Sequence, residues 1–416
     1  MKIQINRLFA PEVYLIMLCC VYAISFIETP LNWGKNILVD ARYIYIFLTF
    51  IVSFTSGQFL INKLQHQNYP NRKIGEIQLD TFVQKNLLAV YCFSLLCIGA
   101  ILLKSGGFAM IAENRTLFRR DAIAALGGYV AYPAFLITPL SAVALYLFIK
   151  NKRFLWLLLF IISVTLQLLQ LNRQELLMCI VTPIMIIFFF KTISVMKIVW
   201  LTLGFFFFLY LIGSLVVLRI GDPYLISSTI PLIELPFWIV VGDFSLAMKL
   251  SHLVTDIIGP AGMEGRYVFG SFASIFIPGY TAHGADVIRV MFTKSETAQS
   301  LAAPLSYYVD GGLILVFALG FFQGILAQAL WKLARQNEHL FFRFAYVINF
   351  LSLLWTIRAG TVSFIPAYLY QIAALSFVLR PGIYAKSLTG PFLISLSGLF
   401  ILTIPISLIF MIIRIW

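Results

Sequence analysis

The feature that most constrains this chain is its succession of apolar runs about twenty residues long, each matching the hydrocarbon thickness of a bilayer. Runs of this kind predict helices at about 11–28, 41–61, 82–103, 129–149, 154–171, 176–190, 198–218, 305–330, 344–357, 361–379 and 391–413. Of the 416 residues, 61% are hydrophobic and 11% charged, against about 25% charged in a soluble domain. That leaves too little polar surface to cover the apolar content. The expected class is therefore all-α, a polytopic transmembrane bundle of about 11–12 helices. Met1 to Arg7 leads straight into the first run, with no small-residue cleavage site, so this run is expected to stay as a helix.

Sidedness follows from the basic residues. The connections 62–81, 150–153, 191–197, 331–343 and 380–390 hold Lys63, Arg72, Lys73, Lys150, Lys152, Arg153, Lys191, Lys197, Lys332, Arg335, Arg343, Arg380 and Lys386, which the positive-inside rule assigns to the cytoplasm. With Lys2, Arg7 and Lys85 the inner side has 16 cations and 4 carboxylates, 16 − 4 = +12, and the outer side 14 − 13 = +1. The overall +13 is thus mostly a topology signal. No basic stripe with interleaved aromatics accompanies it, so no nucleic-acid partner is expected.

The five cysteines, Cys19, Cys20, Cys92, Cys97 and Cys179, lie within apolar runs and have neither zinc-ligand nor disulfide-loop spacing. No phosphate-binding glycine loop, dinucleotide fingerprint, HExxH or nucleophile elbow is present. No cofactor and no metal are expected.

Chemistry is expected on the outer side, where ten of the fourteen cations are arginine, the residue suited to gripping phosphate with a planar fork. The chain divides into helices 1–7 over 1–218, a large outer loop over 219–304, and further helices over 305–416. The loop's apolar stretches of about ten to fourteen residues are too short to cross and read as re-entrant or interfacial. It carries Arg266, Arg289, His252 and His283, with Arg219 at its start. Arg173 and Glu175 lie in the apolar hairpin LQLNRQELLM, where charge is costly and marks a polar cavity or a mutual pair. Arg358 closes the ninth helix next to Gly360, and Arg115, Arg119 and Arg120 crowd the outer loop 104–128. The plain alternative is that these arginines pair with the thirteen outer carboxylates.

The NRQELL hairpin, the segment IFIPGYTAHGADVIRVMF and the Tyr-x-x-Gly-Gly pattern in SLAAPLSYYVDGGLILVFALGFFQGIL together resemble the bacterial O-antigen or oligosaccharide repeat-unit polymerases, the Wzy family. Asn172 stands where many relatives carry serine before the arginine. The resemblance implies a fold like that of C-type glycosyltransferases and a place in lipopolysaccharide or capsule biosynthesis. It implies a multi-pass protein of the bacterial inner membrane, with its site facing the periplasm, that polymerises undecaprenyl-diphosphate-linked oligosaccharide units without a metal. A flippase and a chain-length regulator are the implied partners, beside membrane lipid.

On that reading Arg173, Arg289 and Arg266 stabilise the departing diphosphate, with Arg358 and Arg219 in support. Arg115, Arg119 and Arg120 capture an anionic headgroup or sugar, and His283, His252 or Glu175 takes the acceptor proton. The alternatives are an O-antigen ligase, which shares the leaving group, and a flippase or exporter of lipid-linked oligosaccharide. Internal repeats with helices broken at the midplane, common in transporters, are not seen in the sequence.

Overall fold

The structure is a computed structural model that describes residues 2–28, 30–31, 39–65, 81–108, 110, 112, 126, 128–170, 173–189, 192–220, 230–268, 301–336, 339–360, 364–380 and 389–415. Helix dominates it. The helices are α1 (Pro11–Ile24), α2 (Ile44–Gln65), α3 (Thr81–Ser105), α4 (Gly128–Phe135), α5 (Ile137–Asn151), α6 (Phe154–Leu169), α7 (Arg173–Phe188), α8 (Val195–Ile220), α9 (Leu235–Ile258), α10 (Leu305–Gln336), α11 (Leu340–Ala359), α12 (Phe364–Leu379) and α13 (Thr389–Ile415). Two three-residue strands, β1 (Lys2–Gln4) and β2 (Thr192–Ser194), pair antiparallel with Ile3 opposite Ile193.

Among the described residues seven helices are long and apolar enough to cross a membrane: 41–64, 81–105, 128–151, 235–258, 305–336, 340–359 and 392–413. The protein is a multi-pass helical membrane protein. Large apolar side chains such as Phe59, Leu103, Ile314, Phe392 and Ile413 are exposed on these helices, as lipid-facing surfaces require.

One helix is longer than expected. The apolar stretches within 219–304 are expected to be about ten to fourteen residues long, yet Leu235–Ile258 is a continuous helix of 24 residues, about 36 Å at 1.5 Å per residue. Gly242, Asp243, Lys249 and His252 interrupt its apolar pattern without ending the helix. Of the rest of the large loop, 221–229 and 269–300 lie outside the described residues.

Two compact units share the chain: 1–69, 188–331 and 350–365 make the first, and 70–187, 332–349 and 366–416 the second. In the first unit α2 meets α10 through small residues. A Cβ added at Gly57 would strike Phe321 O, one at Gly320 the Ser53 hydroxyl, and one at Gly324 Phe54 O. In lipid no hydrophobic force drives helices together, so this backbone approach and its dispersion contacts supply the attraction. Tyr14 packs against Phe50 and Phe54 at 6.2 and 5.4 Å.

In the second unit hydrogen bonds perform the same task. The Tyr91 hydroxyl reaches Leu159 O and the Ser163 hydroxyl, Asn86 donates to Phe377 O at 3.3 Å, and the Ser376 hydroxyl donates to Leu393 O at 2.8 Å. The 128–151 span divides at Leu136 into α4 and α5. Pro139 has no N–H for the carbonyl of Phe135 four residues earlier, which breaks the helical ladder there.

Candidate functional site

Buried charge in the first unit centres on α9. Ser245, Lys249, His252 and Asp256 recur at intervals of three and four residues and so share one helical face. Ser245, Lys249 and His252 are buried, while the Asp256 side chain is 33% exposed. On another face, Asp243 receives Arg358 through two parallel bonds, Nε to Oδ2 at 2.5 Å and Nη2 to Oδ1 at 2.9 Å. The guanidinium lies 5.4 Å from the Trp355 ring centroid and in the last turn of α11, where the helix dipole favours a cation. This fork geometry is the strong form of an ion pair. It fixes α11 to α9.

The chain from Leu301 to Ser306 crosses this junction and is tied down from three sides. Leu301 N–H donates to the Tyr267 hydroxyl at 2.8 Å, Ala302 N–H to the Ser251 hydroxyl at 2.7 Å, and Ala303 N–H to Thr356 O at 3.0 Å. Gly360, at φ +60, lies where a Cβ would meet Leu301 O at 2.8 Å.

Just beyond, α10 is broken at Gly311 and Gly312, the latter at φ +66. The carbonyls freed by the break are not left bare. Those of Tyr308, Val309 and Asp310 accept from Ala261, Met263 and Gly265 N–H at 3.0, 3.1 and 2.9 Å, and the Asp310 carboxylate accepts from Tyr267 and Val268 N–H, both at 2.8 Å. Irregular backbone within a membrane-length helix is sustained only by such pairing. The Tyr-x-x-Gly-Gly pattern, which falls within the helix expected at about 305–330, therefore marks a break in it.

A second charged group gathers where helices end. Arg42 bridges Asp40 at 2.6 Å and Asp256 at 2.5 Å, and the Tyr43 hydroxyl donates to the same Asp256 oxygen at 2.5 Å. The Tyr45 hydroxyl donates to that of Tyr308 at 2.8 Å. His252 is fully buried beneath, its ring 5.6 Å from Tyr43 and 6.0 Å from Tyr22, stacked on the latter. Neither of its nitrogens has a hydrogen-bond partner among the described residues.

The structure distributes the expected site residues among different surroundings. Arg358 is half-buried on Asp243. Arg266 is exposed and pairs with exposed Glu264 at 3.1 Å, a contact that contributes little. His252, expected in a loop, is a core residue of α9. Glu175 belongs to the second unit, in the first turn of α7, and accepts from the Thr138 hydroxyl at 2.6 Å.

Arg173 begins α7 and Arg219 lies near the end of α8, but the side chains of both are outside the described residues, as are Arg115, Arg119, Arg120, His283 and Arg289 altogether. Among the described residues no hydrogen bond or ion pair joins Arg266, Arg358 and His252 to one another. The anticipated cradle of unpaired guanidinium groups is not formed by the two outer arginines of that set whose side chains are described, because each holds a carboxylate.

Sequence reasoning misses Asp243, Asp256, Arg42, Tyr43 and Asp310. For Asp243 and Asp256 the available signal is a carboxylate within an apolar run of helical length. No family model matches the chain, and no curated protein or solved structure matches it either.

Proposed function

We propose that the protein polymerises oligosaccharide repeat units carried on undecaprenyl diphosphate, for O-antigen or capsule, at the periplasmic face of the bacterial inner membrane. The observation that carries this reading is the charge held within helices of membrane-spanning length: the Asp243–Arg358 pair and the polar face of α9. Ionisable residues within apolar helices of this length mark substrate sites by default, since structural stability alone is better served by apolar packing.

The reaction breaks the bond between the anomeric carbon and the diphosphate as an acceptor hydroxyl attacks that carbon to form the new glycosidic bond, its proton passing to water or to the departing diphosphate. Arg358 uses two of its five N–H groups on Asp243, which leaves three donors in fixed orientation for an anion. By resemblance alone Arg289 is assigned to the departing diphosphate, whose growing charge a guanidinium group offsets without a metal. Arg266, exposed and in a weak pair with Glu264, stays assigned to the diphosphate as well, since such a contact contributes little.

The test is the surface-glycan ladder of a strain lacking the gene. Single-repeat chains are expected, restored to full length by the intact gene and not by Arg358→Ala. Complete loss of glycan attachment would instead identify a ligase, and lipid-linked units trapped on the inner face a flippase; either result, or an unaltered ladder, overturns the proposal.

A further inference from the structure

We infer that Asp40, Arg42, Tyr43, Tyr45 and Asp256 form a recognition site for neutral saccharide, which on the polymerase reading is the sugar end of the acceptor. These residues lie at the start of the 41–64 span and in the last turn of the 235–258 span, the level of helix ends and therefore of a membrane boundary. The site is open: the side chains of Arg42, Asp40 and Asp256 are 61%, 42% and 33% exposed.

Charge selects the ligand class. Two carboxylates against one guanidinium give 1 − 2 = −1, and both carboxylates already hold Arg42. A phosphate or diphosphate would meet net repulsion here, unlike at an unpaired arginine. A sugar hydroxyl fits, because it donates to the free carboxylate lone pairs and accepts from the remaining guanidinium N–H groups. Tyr43 and Tyr45, with ring centroids 6.5 Å apart, supply the aromatic surface on which the C–H face of a pyranose rests, and Tyr45 is an exposed residue.

A purely stabilising role explains this poorly. Exposed ion pairs contribute little, and the same patch includes His252, fully buried against Tyr43 with neither ring nitrogen partnered among the described residues. A buried polar group left in that condition is destabilising. Such a debt is characteristic of a site whose polar floor is completed by a bound hydroxyl or its bridging water.

The inference rests on the polymerase reading for the ligand's origin but not for its chemistry, and the experiment separates the two. The full chain in nanodiscs of neutral phospholipid is titrated with the neutral repeat-unit oligosaccharide released from the host's own surface glycan, with inorganic diphosphate as the rival probe. Saturation-transfer NMR reads binding. Oligosaccharide signals are expected with the wild type, and Asp256→Asn and Tyr45→Ala are each expected to weaken binding tenfold or more while leaving thermal unfolding within a few degrees.

Binding that both variants retain would overturn the inference, as would no oligosaccharide binding, or diphosphate binding abolished by Arg42→Ala. If deletion of the gene shortens the surface glycan but Asp256→Asn restores it fully, the saccharide site fails and the polymerase reading stands. If deletion leaves the glycan intact while binding depends on Asp256 and Tyr45, the reading fails and the site stands.

Discussion

At the scale of single residues, the Arg358–Asp243 pair and His339 make opposite uses of burial. The pair is stable because each charge has its partner, so removing one leaves the other uncompensated. Arg358→Ala is expected to lower unfolding stability by about 3–5 kcal/mol. The double substitution Arg358→Met with Asp243→Leu is expected to recover most of that loss while abolishing activity. Thermal unfolding in detergent alongside the glycan ladder checks both.

His339 is buried and accepts Phe341 N–H at Nδ1, 3.2 Å away, so it caps α11 as a neutral imidazole. Burial, aided by nearby Arg343, lowers its pKa to about 4. The unfolded chain takes up this proton first, near pH 6.5. The stabilising contribution is therefore intact above pH 6.5 and falls as the pH drops toward about 4, by up to about 3 kcal/mol at about 1.36 kcal/mol per pKa unit. Unfolding midpoints between pH 7 and pH 4 should show this slope, and His339→Asn, which keeps a capping acceptor without a titrating ring, should flatten it.

At the scale of elements, small residues and broken helices decide what packs where. Gly320 and Gly324 let α10 approach the backbone of α2 more closely than any side chain would allow. Gly324→Leu would force the two helices apart at Phe54 O. An expected loss of about 2 kcal/mol or more should appear as a lower melting temperature, with the α2–α10 pair more open to protease. The signal Gly-Phe-Phe-Gln-Gly stands in the sequence, but a spacing of four names a helix face and not its partner. Likewise the length of α9 is hidden by its own polar residues, which divide the apolar run into short stretches, while the burial of Ser245, Lys249 and His252 lets one helix continue through them.

For the whole molecule, a helix of crossing length in the middle of the large loop bears on sidedness, because each crossing moves the next connection to the opposite side. Reporter fusions ending at residues 230 and 262 are expected to report the same, periplasmic side, since Leu235 packs with Leu31 and Val216 and Asp256 with Arg42; opposite sides would make Leu235–Ile258 a crossing helix and overturn the interfacial reading. Eleven apolar helices are legible in the sequence because bilayer thickness imposes a length and a composition on any segment that crosses, and both are local properties readable in a single window. Partnership is not local. Arg42 and Arg266 each meet a carboxylate two residues away, but Asp243 and Arg358 are 115 residues apart and Arg42 and Asp256 are 214 apart, so no spacing could show those two pairings. That was decided by tertiary structure alone, since in a medium of low dielectric constant a buried charge takes the nearest opposite charge that the packing of helices brings within reach.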